Sequence, residues 1–121
     1  MMARMRMYAL ALAVVVSLAG FVRESRGDNV RPATQTYRRY CVSCHGTDGK
    51  AKTSKGKYSH ARDLTDAEWH ATVSDERIFN SITNGRSVRG NMPAFANKLN
   101  ENEVNALVEF VRRLKSAGRQ S

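Results

Sequence analysis

"RRYCVSCHGTDGK", residues 38–50, holds the only two cysteines of the 121-residue chain, three positions apart with His45 directly behind the second. Three chemistries use thiols so closely spaced. A redox dithiol sits at a helix start after a strand, and no alternating strand pattern precedes Cys41. Structural zinc wants four ligands, whereas Cys41, Cys44 and His45 supply three; His60 and His70 stand ten apart, outside the three-to-five spacing of a completing pair. C-x-x-C-H as a c-type haem attachment motif gives each residue its own task. Two thioether bonds fix the porphyrin edge, the i, i+3 spacing puts both sulfurs on one side of a helical turn, and the adjacent imidazole reaches the iron. The expected cofactor is one haem c with its iron, attached through Cys41 and Cys44, with His45 as the proximal ligand.

Haem iron has a second axial position. Met1, Met2, Met5 and Met7 fall in the N-terminal leader, which leaves Met92 as the remaining methionine, beside His60 and His70. Met92 lies in "NGRSVRGNMPAF", residues 84–95, a stretch punctuated by Gly85, Gly90 and Pro93 and reached 47 residues after His45. A loop fixed by glycine and proline brings a side chain to a metal at an angle that a helix does not allow. Cores also use methionine as a gap-filler, and the distal ligand is the expectation here. His70 falls in a helical segment and His60 in a basic polar loop, so both are expected at the solvent-exposed surface.

The N-terminus differs in kind. Arg4 and Arg6 precede Tyr8–Val22, an uncharged and mostly apolar run of 15 residues. A bilayer-spanning helix needs about 20 apolar residues, so a basic head and a short apolar body read as a secretory signal. The expected organisation is a signal peptide over 1–19, cut after Ser17-Leu18-Ala19 or as late as residue 27, a linker over 20–33, and one domain over 34–117. The protein is therefore expected to be exported, periplasmic in a bacterium, with membrane attachment only if the leader is retained. No cysteine stands at the cut and Met5 separates the two arginines, so neither lipidation nor the twin-arginine route is indicated. Residues 1–27 contain four Arg and one Glu; the remainder keeps 16 of 20 basic and 10 of 11 acidic side chains, a net +6. Such charge favours an acidic protein surface, anionic lipid or nucleic acid as neighbour. Nucleic acid is set aside, because export argues against it and the basic residues do not interleave with aromatics.

Helical patterns fill the rest. Thr34–Tyr40 leads into the cysteine turn, with Tyr37 one turn before Cys41 and facing the same way. Thr65-x-x-Glu68 reads as a capping box opening a short helix that carries Trp69. Ser74 starts another, with Ile78, Phe79 and Ile82 as its apolar face and Gly85 as its stop. Asn100-x-x-Glu103 opens the last, in which Val104, Leu107, Val108, Val111 and Leu114 recur at helical spacing. A domain this small buries modest apolar area and needs a staple; a haem packed by Leu64, Trp69, Ile78, Phe95, Leu99 and Phe110 provides one.

With "CVSCHG" and "NMPAF" in place, the chain resembles small bacterial class I cytochromes c over about residues 34–116. The resemblance implies an all-α, cytochrome c-like fold of short helices around one covalently bound haem, with Cys41 and Cys44 as thioether sites, His45 proximal and Met92 distal. Two readings stand for Trp69, a plain core aromatic or an indole N–H donated to a haem propionate; Arg62 is either a second propionate partner or a surface arginine. "GTDGKAKTSKGKYSHARDLT", residues 46–65, departs from the family in its wealth of lysine. Lys50, Lys52, Lys55 and Lys57, with Arg86, Arg89 and Lys98 around Met92, either ring the exposed haem edge for an acidic redox partner or merely solubilise. Met/His ligation fills the iron and raises its potential, so the expectation is an exported one-electron carrier and not an enzyme. Two alternatives remain: a haem subunit relaying electrons inside a larger redox complex, and a haem peroxidase or sensor with a displaceable Met92 and His60 or His70 in the distal pocket.

Overall fold

A computed structural model describes residues 30–117, so the leader expected at 1–19 and most of the linker expected at 20–33 lie outside the described residues. Among the described residues six helices follow one another: α1 Ala33–Tyr40, α2 Val42–His45, α3 Ser54–Tyr58, α4 Ala67–Thr72, α5 Asp75–Asn84 and α6 Glu101–Ala117. Among the described residues there is no strand, only an isolated bridge between Arg86 and Met92. No described helix is long and apolar enough to cross a membrane.

Pro32 starts α1, and its carbonyl accepts from the amides of Gln35 and Thr36 at 2.9 and 3.0 Å; a proline at a helix start gives up an N–H that has no partner there anyway. The end of the expected linker thus belongs to the fold. Arg31 in particular donates from Nε to Glu103 Oε1 at 2.7 Å and from its terminal nitrogens to Tyr40 Oη (3.2 Å) and the Lys98 carbonyl (3.3 Å). The lysine-rich stretch is not all loop either. Thr53 caps α3 by accepting from the Gly56 amide at 2.9 Å.

The expected capping box at Thr65 and Glu68 is absent. Asp66 caps α4 instead, accepting from the amides of Glu68 and Trp69, while the Thr65 hydroxyl donates to Asp63 at 2.7 Å. Asp at an N-cap competes as well as Thr, and here it sits one residue nearer the helix. The box at Asn100 does form, reciprocally: Glu103 N donates to Asn100 Oδ1 at 2.9 Å and Asn100 N to Glu103 Oε2 at 3.1 Å. Ser74 and Gly85 bound α5 as the sequence implies.

The core gathers where α6 crosses the other helices. Val104, Leu107, Val108 and Val111 of α6 are buried with Tyr37 of α1, Ile78 and Ile82 of α5, and Leu64, Phe95 and Leu99 of the loops; Trp69, Met92, Phe110 and Leu114 pack against them half-buried. Tyr37 meets Phe110 with ring centroids 4.8 Å apart, fixing α1 on α6. Arg112 of α6 ties down the turn between α4 and α5, donating to Asp75 Oδ1 (2.6 Å), the His70 carbonyl (3.1 Å) and the Val73 carbonyl (2.7 Å).

The Arg31 contact makes acid stability measurable. Arg31 holds the buried Glu103 carboxyl below its ordinary value of 4.5. Folding thus favours the charged form, so the contribution is present above pH 4.5 and fades as pH falls through the lowered folded value. Glu103→Gln is expected to melt lower than wild type at pH 7 and to converge with it in acid. Thermal melts across pH 3 to 7 check this; a constant gap between the two curves would refute it.

Candidate functional site

α1 and α2 are nearly one helix broken at Cys41, whose amide still bonds the Tyr37 carbonyl at 2.9 Å while its own carbonyl receives His45 N at 2.9 Å. That turn carries Cys41, Cys44 and His45 into a cavity of about 450 Å³. The thiols are free of each other. Burial, with the neighbouring Cys44 as a lesser cause, pushes the Cys41 thiol up to about 12, so it is not the ready thiolate that dithiol exchange requires. No group of three or more His, Cys, Asp or Glu side chains able to hold a metal comes together among the described residues.

His45 is buried, and its Nδ1 lies 2.9 Å from the Arg62 carbonyl. A carbonyl only accepts, so Nδ1 carries the hydrogen, and burial keeps the ring neutral by lowering its pKa. The lone pair is then on Nε2, the tautomer and orientation that a metal-ligating imidazole needs. The turn behind it is clamped. Tyr37 Oη donates to the Gly46 carbonyl at 2.8 Å, and the Thr53 hydroxyl lies 2.8 Å from the Ser43 carbonyl and 3.0 Å from that of Cys44. Gly56 of α3 packs so closely on the Cys44 carbonyl that a β-carbon has no room.

Met92 enters the same cavity from the far side of the chain. Arg86 and Met92 exchange both backbone hydrogen bonds (2.8 and 2.9 Å), and Asn91 N donates to the Ser59 carbonyl at 3.0 Å, so the loop is closed on itself and tied to the segment after α3. The cavity wall is apolar where Leu64, Ile78, Ile82, Leu107 and Val111 line it; Arg62, Arg77, Arg86 and Arg89 stand at its polar side. Two thiols, an imidazole with a free Nε2, a thioether, an apolar wall and nearby guanidiniums suit a flat apolar macrocycle that bears two carboxylates. The residues fit a haem.

Trp69 lines the cavity half-buried, with its ring edge-on to His70 at 4.8 Å. The Arg62 side chain is exposed and 3.8 Å from Asp66, while its main chain orients His45. That carbonyl was invisible in the sequence, since any residue type supplies one. His60 is exposed on the cavity rim, as expected. His70 contradicts the expectation of exposure: it is buried, with Nε2 2.8 Å from the Leu64 carbonyl and Nδ1 3.3 Å from an Arg112 nitrogen. Its helix is short enough that the face carrying His70 turns inward under α6, where two partners satisfy both ring nitrogens. Being outside the cavity lining, it is no distal group.

The helical shell of the described residues is that of a c-type cytochrome domain, which carries covalent haem c with its iron. The chain belongs to the family described as "Cytochrome C oxidase, cbb3-type, subunit III", which it matches over residues 28–111. It is 30% identical over 111 residues to the "Cbb3-type cytochrome c oxidase subunit FixP" of Azorhizobium caulinodans, covering 87% of this chain and 36% of that protein. To the FixP of Rhizobium etli it is 36% identical over 74 residues, covering 61% of this chain and 24% of that one. The chain thus spans about a third or less of the length of these curated relatives. Among solved structures it is similar to the "KustC0563 c-type cytochrome", with 42% identity and a TM-score of 0.63 over 70% of this chain and 99% of the other.

Proposed function

We propose that the protein is an exported one-electron carrier, periplasmic in a bacterium, that does not itself catalyse a reaction. Cys41 and Cys44 would attach the haem, and His45 Nε2 and the Met92 thioether would hold its iron. The observation that carries this reading is the pairing of two fixed donors on one cavity: an imidazole oriented by the Arg62 carbonyl and a methionine held by the Arg86 bridge. When bound, haem supplies an iron that cycles between ferric and ferrous states, with His/Met ligation favouring the ferrous. The chain's own part is to hold both donors still, so that little rearranges as the charge changes, and to keep water off the apolar wall. Trp69 and Arg62 would offer an indole N–H and a guanidinium to the propionates. With both donors committed, the peroxidase and sensor readings lose their open position.

A second reading is favoured by the family match: the domain relays electrons within or beside a cbb3-type oxidase, as the naming of its FixP relatives suggests. Both readings need the same attachment. Expressed in a host competent for haem attachment, the mature protein is expected to carry one haem by intact mass and to keep it through acid-acetone extraction, whereas Cys41→Ala/Cys44→Ala loses it. A wild-type protein without added haem mass overturns the assignment, and rapid peroxide turnover by wild type returns the enzyme reading.

A further inference from the structure

The Thr53 hydroxyl lies on a closed circuit of hydrogen bonds around His45. Thr53 stands just before α3, and its Oγ1 faces the carbonyls near the end of α2, 2.8 Å from that of Ser43 and 3.0 Å from that of Cys44. The same oxygen accepts from the Gly56 amide at 2.9 Å. The Gly56 carbonyl in turn receives Ala61 N at 2.8 Å, and the next residue, Arg62, presents the carbonyl that accepts from His45 Nδ1 at 2.9 Å. His45 is bonded covalently to Cys44, so the circuit returns to its start. The histidine is gripped at both ends, its main chain by Thr53 through α2 and its ring by Arg62 through the end of α3.

One half of the circuit is a local device. Ala61 N bonds the Gly56 carbonyl, His60 N bonds the Lys57 carbonyl at 3.3 Å, and His60 has φ of 53°. This nested pair of bonds around a left-handed residue is a Schellman motif, and it turns the chain off α3 directly into Arg62. The other half depends on close approach. A β-carbon on Gly56 would collide with the Cys44 carbonyl oxygen and lie 2.9 Å from that of Ala51, so α3 sits directly on the turn that carries the cysteines. Apart from His45 itself, Thr53 is the side chain that closes the circuit; every other member is main chain.

We infer that Thr53 is a positioning residue for His45, its hydroxyl holding α3 against the cysteine turn and so keeping the Arg62 carbonyl on Nδ1–H. The inference rests on reading His45 as an axial ligand, and it adds which side chain sets that ligand's strength. An acceptor held on Nδ1–H makes Nε2 more basic, and a more basic ligand favours ferric over ferrous iron. Loosening the circuit therefore raises the reduction potential, the opposite of removing Met92. The effect is bounded, because Leu64 N fixes the chain beyond Arg62 to the Gly49 carbonyl at 2.7 Å.

The test uses the haem-loaded protein and two readouts, solvent exchange of the His45 Nδ1 hydrogen by NMR and the reduction potential. Thr53→Val puts a methyl group in place of the hydroxyl and leaves the Gly56 amide and the Ser43 carbonyl without it. The Nδ1 hydrogen is expected to exchange about tenfold faster than in wild type, as the loss of a hydrogen bond from a locally opening segment implies. The potential is expected to rise while the sulfur-to-iron charge-transfer band stays intact. Thr53→Ser keeps the hydroxyl and retains wild-type exchange and potential. Gly56→Ala, which drives α3 off the Cys44 carbonyl, moves both readouts the same way and further. Wild-type exchange and potential in Thr53→Val overturn the inference even where the variant melts lower, since a merely structural threonine gives that result. A Thr53→Ser protein as disturbed as Thr53→Val overturns it too, by tracing the effect to packing and not to the hydroxyl. So does a potential that falls as the band weakens, which places the damage at Met92. A wild type whose ferric spectrum lacks paramagnetically shifted His45 ring protons fails at the ligand reading itself.

Discussion

Met92→Ala is expected to abolish the ferric sulfur-to-iron charge-transfer band and to lower the reduction potential by on the order of a few hundred mV, within the roughly 0.8 V span that axial ligation covers. The thioether is a soft, neutral donor that favours ferrous iron, and removing it leaves water or nothing in its place. The fold should suffer too. Met92 packs half-buried against the core, and the bridge to Arg86 has its anchor there. Met92→His should restore six-coordination at a potential still below wild type. His60→Ala should change neither band nor potential, its side chain being exposed. His70→Ala should keep both but melt lower, because it deletes a buried ring bonded to the Leu64 carbonyl and Arg112. A Met92→Ala protein with the wild-type band and potential would sink the ligand assignment.

Gly85→Ala should cripple the same loop without touching a ligand. Gly85 has φ of 72°, and a β-carbon there would lie 2.6 Å from the Met92 carbonyl oxygen, 2.8 Å from Ala94 N and 2.9 Å from Pro93 C. All three are backbone atoms that no rotamer change can move aside. A positive φ with extended ψ, here 72° and −176°, is essentially confined to glycine and costs another residue on the order of 1 to 3 kcal/mol, and the collision adds to it. An overall loss of about 2 kcal/mol or more would lower the melting temperature of a domain this size by about 10 °C. The sharper signature is a charge-transfer band weakened in the folded protein below its melt, since the displaced backbone is that of Met92 itself. A Gly85→Ala protein that melts like wild type with a full-strength band would show that the loop has slack.

The motif points to its chemistry by residue type: the chain has two cysteines, one histidine stands directly behind the second, and Met92 is the one methionine beyond residue 27. Periodicity likewise fixed α1, α5 and α6, because burying one face of a helix demands a 3.6-residue repeat whatever packs on it. The Asn100–Glu103 box is equally local, its two partners being three residues apart.

What the sequence withheld depends on atoms that every residue has, or on distant segments meeting. His45 is oriented by a main-chain carbonyl 17 residues away, and Met92 is held by backbone pairing to Arg86 and by Asn91 reaching Ser59. From sequence His70 reads as exposed, a polar residue in a short helix; in the fold α6 lays Arg112 across it and supplies a partner for its ring. Nothing in the letters brings Asn91 to Ser59, 32 positions apart; only the closing of the Met92 loop onto the end of α3 does so, since hydrogen bonds between main chains carry no residue code.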